Sequence, residues 1–157
     1  MILRHPLHRY RGFLLDIDGV LVRGETPLPN APDALARLRT IGPVVLLTNN
    51  STKSRQIAAA RLSERGVPVC ASEVIPSSFI AARYLQREHR SVRFWYLGEE
   101  GIPEEMALAG HVLAEPLQAE WIVVGMDRAL TYAKLASALG ALLAGARFLV
   151  TNRDATY

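Results

Sequence analysis

The chain has 157 residues, half of them hydrophobic, and a formal net charge of +3. This length is enough to bury a core, either as one domain or as two small ones. No stretch approaches the run of about 18 apolar residues that a membrane span needs, so none is predicted. The weak positive charge is scattered, which argues against a nucleic-acid partner and is compatible with a small phosphorylated ligand. The only cysteine, Cys70, excludes an intrachain disulfide and favours a cytoplasmic location.

The first predicted element is a buried strand within residues 12–21 that delivers two acids to its own end. An apolar run followed by Asp and Gly is typical of a strand entering a tight turn. Alternate residues of an extended chain share a face, so Asp16 and Asp18 are expected to point the same way. Two adjacent carboxylates repel each other. Either a divalent cation or a split of their pKa values, with one group keeping its proton, must compensate for that repulsion.

A helix and a second buried strand follow. Gly and Pro at residues 23–29 predict a loop, and Asn30 is well placed to cap a helix that stops at residues 42–43. Residues 44–47 predict a strand that runs into a polar set at residues 48–52, where another helix is expected to start. Strand, helix and strand in this order predict a parallel pair. Both polar sets should therefore lie at carboxyl ends of strands, where open α/β sheets bind ligands.

The rest of the chain continues to alternate strands with helices, which predicts an α/β fold. A third strand is expected within residues 67–76. The further predicted elements are a helix at 77–88, strands at 92–97, 111–114, 120–125 and 147–151, and helices at 103–109 and 131–144.

The residues at the two strand ends suit phosphoryl transfer. An ionised Asp16 is a possible nucleophile towards phosphorus, and Asp18 is placed to donate and accept protons. A magnesium ion beside Asp16 would relieve the repulsion between the acids and neutralise charge in the transition state. Thr48 and the backbone amides near Asn49 could hold phosphate oxygens. Helix capping is the alternative explanation for residues 48–51.

Two of these stretches resemble sequence motifs of a known superfamily. Asp-Ile-Asp-Gly-Val-Leu at residues 16–21 and Leu-Leu-Thr-Asn-Asn-Ser at residues 46–51 resemble the first two motifs of the haloacid dehalogenase-like superfamily. Further segments resemble its 4-nitrophenylphosphatase branch, which includes phosphoglycolate and pyridoxal phosphate phosphatases; they are residues 77–78, 98–101, 123–127 and 148–154. The resemblance implies a partial doubly wound parallel, Rossmann-like core at residues 1–77. An α/β cap domain, incomplete in this chain, is expected at residues 78–157.

The resemblance also implies roles for individual residues. Asp16 becomes the nucleophile and a magnesium ligand. Asp18 becomes the acid and base, and its backbone carbonyl also binds the metal. The remaining predicted site residues bind phosphate or substrate, and they are Thr48, Asn49, Asn50, Asn152 and Asp154. For Asn152 and Asp154, an ordinary turn is an equal alternative. The implied function is magnesium-dependent hydrolysis of a small phosphomonoester through an aspartyl-phosphate intermediate.

The third and fourth motifs of the superfamily have no counterpart in this sequence. Neither Lys53 nor Lys134 matches the lysine of the third motif, and the later acids that complete the magnesium site are absent. Each missing carboxylate removes a metal ligand, so the 157 residues alone are predicted to be nearly inactive. The alternative is a non-catalytic binding module that retains a truncated fold, and a homodimer is plausible. Phosphoryl transfer to an acceptor other than water would use the same residues.

Overall fold

The computed structural model describes residues 6–154, which divide into two compact units. The first unit contains the described residues up to Thr48 together with Gln56–Ile75. The second contains Asn49–Arg55 and the described residues from Pro76 onward. The domain boundaries that the family resemblance implies, 1–77 and 78–157, stay a prediction.

The strands and α-helices of the first half of the chain are short. In chain order they are β1 (Phe13–Asp16), β2 (Val22–Arg23), β3 (Thr26–Pro27), α1 (Ala31–Arg39), β4 (Val44–Thr48), α2 (Arg55–Glu64) and β5 (Val74–Pro76). Strands β1, β4 and β5 form one sheet in the order β1-β4-β5. Strands β1 and β4 are parallel, as predicted, with a register that runs from Phe13 opposite Val44 to Asp16 opposite Leu47. The carboxyl ends of both strands therefore lie at one edge of this sheet.

The hydrophobic pattern accounts for the core of the first unit. Leu35 of α1, Leu46 of β4 and the nearby Val67 and Val74 are almost completely buried. They belong to one cluster of apolar side chains, which positions the strand ends that follow it. Removing this apolar surface from water is the main contribution to stability.

Three local predictions differ from the structure. Residues 23–29 do not form a plain loop, because β2 and β3 pair there as a small antiparallel hairpin. Asn30 occupies the capping position of α1, but its backbone is left-handed and its side chain makes no capping hydrogen bond. Helix α2 starts at Arg55 rather than within residues 48–52. There the Asn50 side chain accepts the Thr52 N–H at 2.9 Å, and such a local bond favours a turn over a helix.

The second unit is built around a four-stranded, all-parallel sheet. Its elements are α3 (Ser77–His89), β6 (Arg93–Leu97), α4 (Gly101–Leu108), β7 (Val112–Leu113), β8 (Trp121–Val124), α5 (Tyr132–Leu143) and β9 (Arg147–Val150). The strand order is β7-β6-β8-β9, and each neighbouring pair is parallel. Phe94, Ile102, Met106 and Val123 are fully buried between the sheet and the helices. Parallel strands that alternate with helices confirm the predicted α/β class. Within the described part of the chain, no helix combines the length and apolar character needed to cross a membrane.

Candidate functional site

The two acids predicted to carry the chemistry lie at the carboxyl end of β1. Asp16 is the last residue of the strand, and Asp18 follows it by two positions. Both acids are exposed, whereas Ile17 between them is only 6% exposed and belongs to the core. This alternation is the expected consequence of an extended backbone that buries every second side chain. The buried Ile17 thereby fixes the direction of both carboxylates.

The turn after β1 leaves oxygen atoms of both acids available. Gly19 has φ +78°, a conformation that favours glycine, and the Ile17 carbonyl accepts the N–H groups of Leu21 and Val22 at 2.9 and 3.2 Å. Asp16 Oδ1 accepts the Ile17 N–H at 2.8 Å. Among the described residues, neither Asp16 Oδ2 nor the Asp18 carbonyl oxygen has a hydrogen-bond donor. Two hard oxygen atoms are therefore open at this strand end.

These oxygen atoms fit part of a magnesium site. Magnesium prefers oxygen ligands and usually binds one or two carboxylates together with water and substrate phosphate. Asp16 Oδ2 and the Asp18 carbonyl are ligands of this kind. Within residues 6–154, no group of three or more His, Cys, Asp and Glu side chains gathers in a metal-binding arrangement. The described residues thus suit a cation held jointly with a bound phosphate.

Thr48 is brought to Asp18 by the parallel pairing of β1 and β4. It ends β4, and its hydroxyl Oγ1 donates to Asp18 Oδ2 at 3.3 Å. A hydroxyl donor beside a carboxylate restricts the orientation of that carboxylate. The structure therefore joins two of the predicted site residues, Asp18 and Thr48, within the first unit.

The other predicted site residues belong to the second unit, where three of them are joined by hydrogen bonds. Asn49 Nδ2 donates to Asp154 Oδ2 at 2.9 Å. Asn152 Oδ1 accepts the Asp154 N–H at 3.0 Å, an arrangement typical of a turn. Asn50 makes the local bond to Thr52 described above. Hence the second unit brings Asn49, Asn152 and Asp154 into one hydrogen-bonded group.

Sequence reasoning missed two polar residues, Ser77 and Glu105, that bind the segment on which Asn49 lies. The Ser77 hydroxyl donates to the Asn49 carbonyl at 2.7 Å. Glu105 of α4, which the sequence placed in an unremarkable short helix, is 1% exposed and binds Arg55. Each partner pair is separated by 28 or 50 positions in the chain. Neither periodicity nor a local motif signals such a contact. A Glu at a helix position that must be buried is the one available signal, since buried acids are normally paired.

Neither lysine singled out in the sequence is an open cation. Lys53 Nζ lies 3.2 Å from Glu100 Oε2, and Lys134 Nζ lies 2.7 Å from Asp127 Oδ2. Beside them, Glu99 accepts two hydrogen bonds from the Arg128 side chain, which lower the pKa of Glu99 from 4.5 to about 2. The charges around residues 98–101 are therefore arranged as pairs.

A family model matches most of the chain. The model for haloacid dehalogenase-like hydrolases matches residues 13–112, which include β1 with its two acids, β4 and the first strands of the second unit. The chain belongs to the haloacid dehalogenase-like hydrolase family. This finding confirms the resemblance inferred from residues 16–21 and 46–51. Asp16 and Asp18 lie within the segment that the family model matches.

Individual relatives of the family are phosphatases. The chain is 34% identical over 148 residues to the sugar phosphatase AraL of Bacillus subtilis. The aligned region covers 93% of this chain and 54% of AraL. It is 31% identical to the 5'-nucleotidase YutF of the same species, over 92% of this chain and 57% of that protein. A p-nitrophenyl phosphatase from Archaeoglobus fulgidus is similar in structure, with a TM-score of 0.85 and 34% identity over 92% of this chain and 56% of that one. The chain thus spans little more than half the length of these relatives.

Proposed function

We propose that this chain carries the nucleophile-bearing part of a magnesium-dependent phosphomonoester hydrolase. The observation that supports the proposal best is the pair of exposed acids at the end of β1, with Thr48 hydrogen-bonded to the second acid. The pair lies inside the segment matched by the hydrolase family model. A small phosphorylated metabolite is the proposed substrate, in keeping with the names of the phosphatase relatives.

In the first step, Asp16 attacks the phosphorus atom of the substrate. A carboxylate oxygen forms a bond to phosphorus while the bond between phosphorus and the alcohol oxygen breaks. Asp18 gives a proton to the departing alcohol, which leaves as a neutral molecule. Asp16 Oδ1 accepts the Ile17 N–H, which orients the carboxylate and leaves Oδ2 free of protein donors among the described residues.

In the second step, water releases the phosphate. Asp18, now ionised, takes a proton from a water molecule whose oxygen attacks the phosphorus of the aspartyl-phosphate. The bond to the Asp16 carboxylate breaks, and inorganic phosphate leaves. Thr48 keeps Asp18 oriented through its hydroxyl and supplies a polar group for phosphate oxygens.

Magnesium would be held by the Asp16 carboxylate and the Asp18 carbonyl oxygen. When bound, it neutralises negative charge that gathers on the transferring phosphoryl group. Because the described residues offer only these few ligands, we expect the 157-residue polypeptide alone to bind magnesium weakly and to be nearly inactive.

The second unit is proposed to act as a cap that contributes substrate recognition. Asn49, Asn50, Asn152 and Asp154 are the residues assigned to phosphate or substrate binding there. Asn49 and Asp154 are already hydrogen-bonded to each other, which supports a shared role. A cytoplasmic location and a homodimer complete the proposal.

Trapping the intermediate tests this proposal. The full natural chain is incubated with 4-nitrophenyl phosphate and magnesium, quenched in acid and digested, and phosphorylated peptides are identified by mass spectrometry. We expect phosphate on Asp16. Turnover without phosphate on that residue, or turnover that is unaffected by chelation of magnesium, would contradict the mechanism. Absence of both turnover and phosphate binding would instead favour a non-catalytic module.

A further inference from the structure

The seven residues Asn49–Arg55, here called the connector, are fastened within the second unit. The Gly101 N–H donates to the Thr52 carbonyl at 3.1 Å, and the Met126 N–H donates to Ser51 Oγ at 3.3 Å. Ser51 and Thr52 are only 2% and 4% exposed. Buried polar groups of this kind hold a segment in one position, because leaving them unpaired is costly. The connector is therefore a fixed element in spite of its polar sequence.

Glu105 binds the end of the connector. Its Oε1 accepts the backbone N–H of Arg55 at 2.7 Å, and both carboxylate oxygens accept Arg55 Nε at 3.0–3.1 Å. The guanidinium group of Arg55 also lies over the Phe79 ring, 3.9 Å from its centre. A carboxylate that is nearly inaccessible to water needs a charged and hydrogen-bonded partner. Here a single connector residue provides the charge and two donors.

Two glycines allow the connector to approach closely. A Cβ atom on Gly101 would overlap the Ser51 carbonyl oxygen and the Lys53 backbone. A Cβ atom on Gly125 would overlap Ser51 Oγ. Neither glycine needs its conformational freedom here, since what matters is the absence of a side chain. The beginning of α4 and the end of β8 are thus shaped to seat the connector.

We propose that Glu105 is a positioning residue for phosphate recognition. By fixing Arg55 it fixes the connector, and with it the side-chain amides of Asn49 and Asn50, which the proposed function assigns to phosphate or substrate binding. At the other end of the connector, the Ser77 hydroxyl holds the Asn49 carbonyl at 2.7 Å. The two asparagines therefore lie on a segment whose ends are both fastened.

The effect of Glu105 on a ligand is indirect. Its side chain is buried and its oxygens are occupied by Arg55, so it does not itself face a phosphate. Loss of its charge would loosen the Arg55 contact and let the connector shift. A displacement of about 1 Å, caused by a change far from the reacting groups, can lower the rate of a reaction by about 100-fold. We expect phosphate binding to depend on position in a similar way.

Phosphate binding by the full natural chain tests the role. The side-chain amide signals of Asn49 and Asn50 are followed by two-dimensional NMR while inorganic phosphate is added, in the unaltered chain and in Glu105→Gln. We expect Glu105→Gln to weaken phosphate binding about 10- to 100-fold. Glu104→Gln, a change of the same type on the same helix, should bind phosphate as the unaltered chain does.

A second control separates positioning from general stability. Leu85 is fully buried among apolar side chains of the second unit, so Leu85→Ala should lower the Tm. We expect it to leave the phosphate affinity unchanged. Equal weakening by Leu85→Ala and Glu105→Gln would overturn the positioning role.

The remaining outcomes separate this inference from the function on which it rests. If the unaltered chain binds phosphate and Glu105→Gln binds it equally well, the positioning role is wrong and the proposed function stands. If the unaltered chain does not bind phosphate, the proposed function fails and the role of Glu105 fails with it. Should Glu105→Gln not fold, hydrogen exchange in the unaltered chain decides. Slow exchange of the Arg55 and Gly101 amides supports a fastened connector, and exchange at the rate of a free loop overturns it.

Discussion

The two acids at the end of β1 have different surroundings from three acids of the second unit. In the first unit, Asp16 and Asp18 stand two positions apart at a strand end, and within residues 6–154 neither forms an ion pair. In the second unit, Glu99, Glu105 and Asp127 each face an Arg or Lys at 2.6–3.0 Å. A carboxylate that is already neutralised by a cation is poorly suited to bind a metal or attack phosphorus. The comparison supports the proposal that the open acids Asp16 and Asp18 carry the chemistry, whereas these paired acids stabilise the structure.

Substitution of Asp16 is the most direct test of the role of the open acids. Asp16→Asn keeps the size and the backbone contacts but removes the nucleophilic carboxylate. In the full natural chain we expect the rate of 4-nitrophenyl phosphate hydrolysis to fall about 10⁴-fold or more, the scale reached when a nucleophile is removed. Asp33→Asn, an exposed acid of α1, is the matched control and should retain full activity. Comparable rates for the two variants would show that Asp16 is not the nucleophile.

Substitution of Asp18 tests whether this residue acts as a general acid and base or as a second nucleophile. Asp18→Asn should slow hydrolysis about 10²- to 10⁴-fold, because proton transfer is lost while Asp16 remains. Since water is then poorly activated, phosphate should accumulate on Asp16 during turnover of a substrate with a good leaving group. Rapid-quench measurement of phosphorylated protein checks this expectation. A variant that neither turns over nor becomes phosphorylated would assign Asp18 to the attack itself.

Much of this arrangement could be predicted because it depends on local pattern. The apolar runs before Asp16 and Thr48 each predict a buried strand, and the element between them requires a parallel pair. Both strands form, but the predicted burial is wrong for β1, where Leu14 is 70% exposed. The sequence therefore placed both strand ends at one edge, as observed. Two adjacent acids with no basic neighbour in the motif were equally visible. These features need only the alternation of side chains and the rules for connecting strands.

The start of α2 and the role of residues 49–55 could not be predicted in the same way. The polar set after β4 has the composition of a helix cap, yet α2 begins at Arg55. Its position depends on Glu105, 50 positions away, and on the close approach of Gly101. Contacts between distant positions leave no periodic signal in a single sequence. Turn chemistry and tertiary contacts together overrode the local preference for a helix start.

Substitution of Asp127 tests whether a paired acid contributes to stability and not to the reaction. Its side chain is 2% exposed and accepts bonds from Lys134 Nζ at 2.7 Å and from the Ala129 N–H at 2.8 Å. Asp127→Asn removes the charge that Lys134 requires. We expect it to lower the free energy of unfolding by about 1–3 kcal/mol. The rate per folded molecule should be unchanged, which denaturation and activity measurements on one sample can establish. A large loss of rate without a loss of stability would place Asp127 among the chemically active acids instead.

The smallest expected effect belongs to Glu99, and it depends on pH. Hydrogen bonds from the Arg128 side chain are the main cause that lowers the pKa of Glu99 to about 2 in the folded chain, from 4.5. A lowered pKa contributes stability that is fully present above pH 4.5 and is lost as the pH falls towards 2. Because Arg128 is largely exposed, solvent screening limits the loss in Glu99→Gln to about 1 kcal/mol at pH 7.

Urea denaturation of the unaltered chain and Glu99→Gln between pH 2 and pH 7 measures this difference. The two stability curves should be separated at pH 7 and should converge as the pH falls from 4.5 towards 2, since protonation removes the same interaction that the substitution removes. Glu115→Gln changes an exposed acid for which, among residues 6–154, no ion pair is seen, so its curve should follow that of the unaltered chain. A separation that persists unchanged at low pH would mean that Glu99 contributes through packing rather than through its charge. The contrast between open and paired acids would then not extend to this pair.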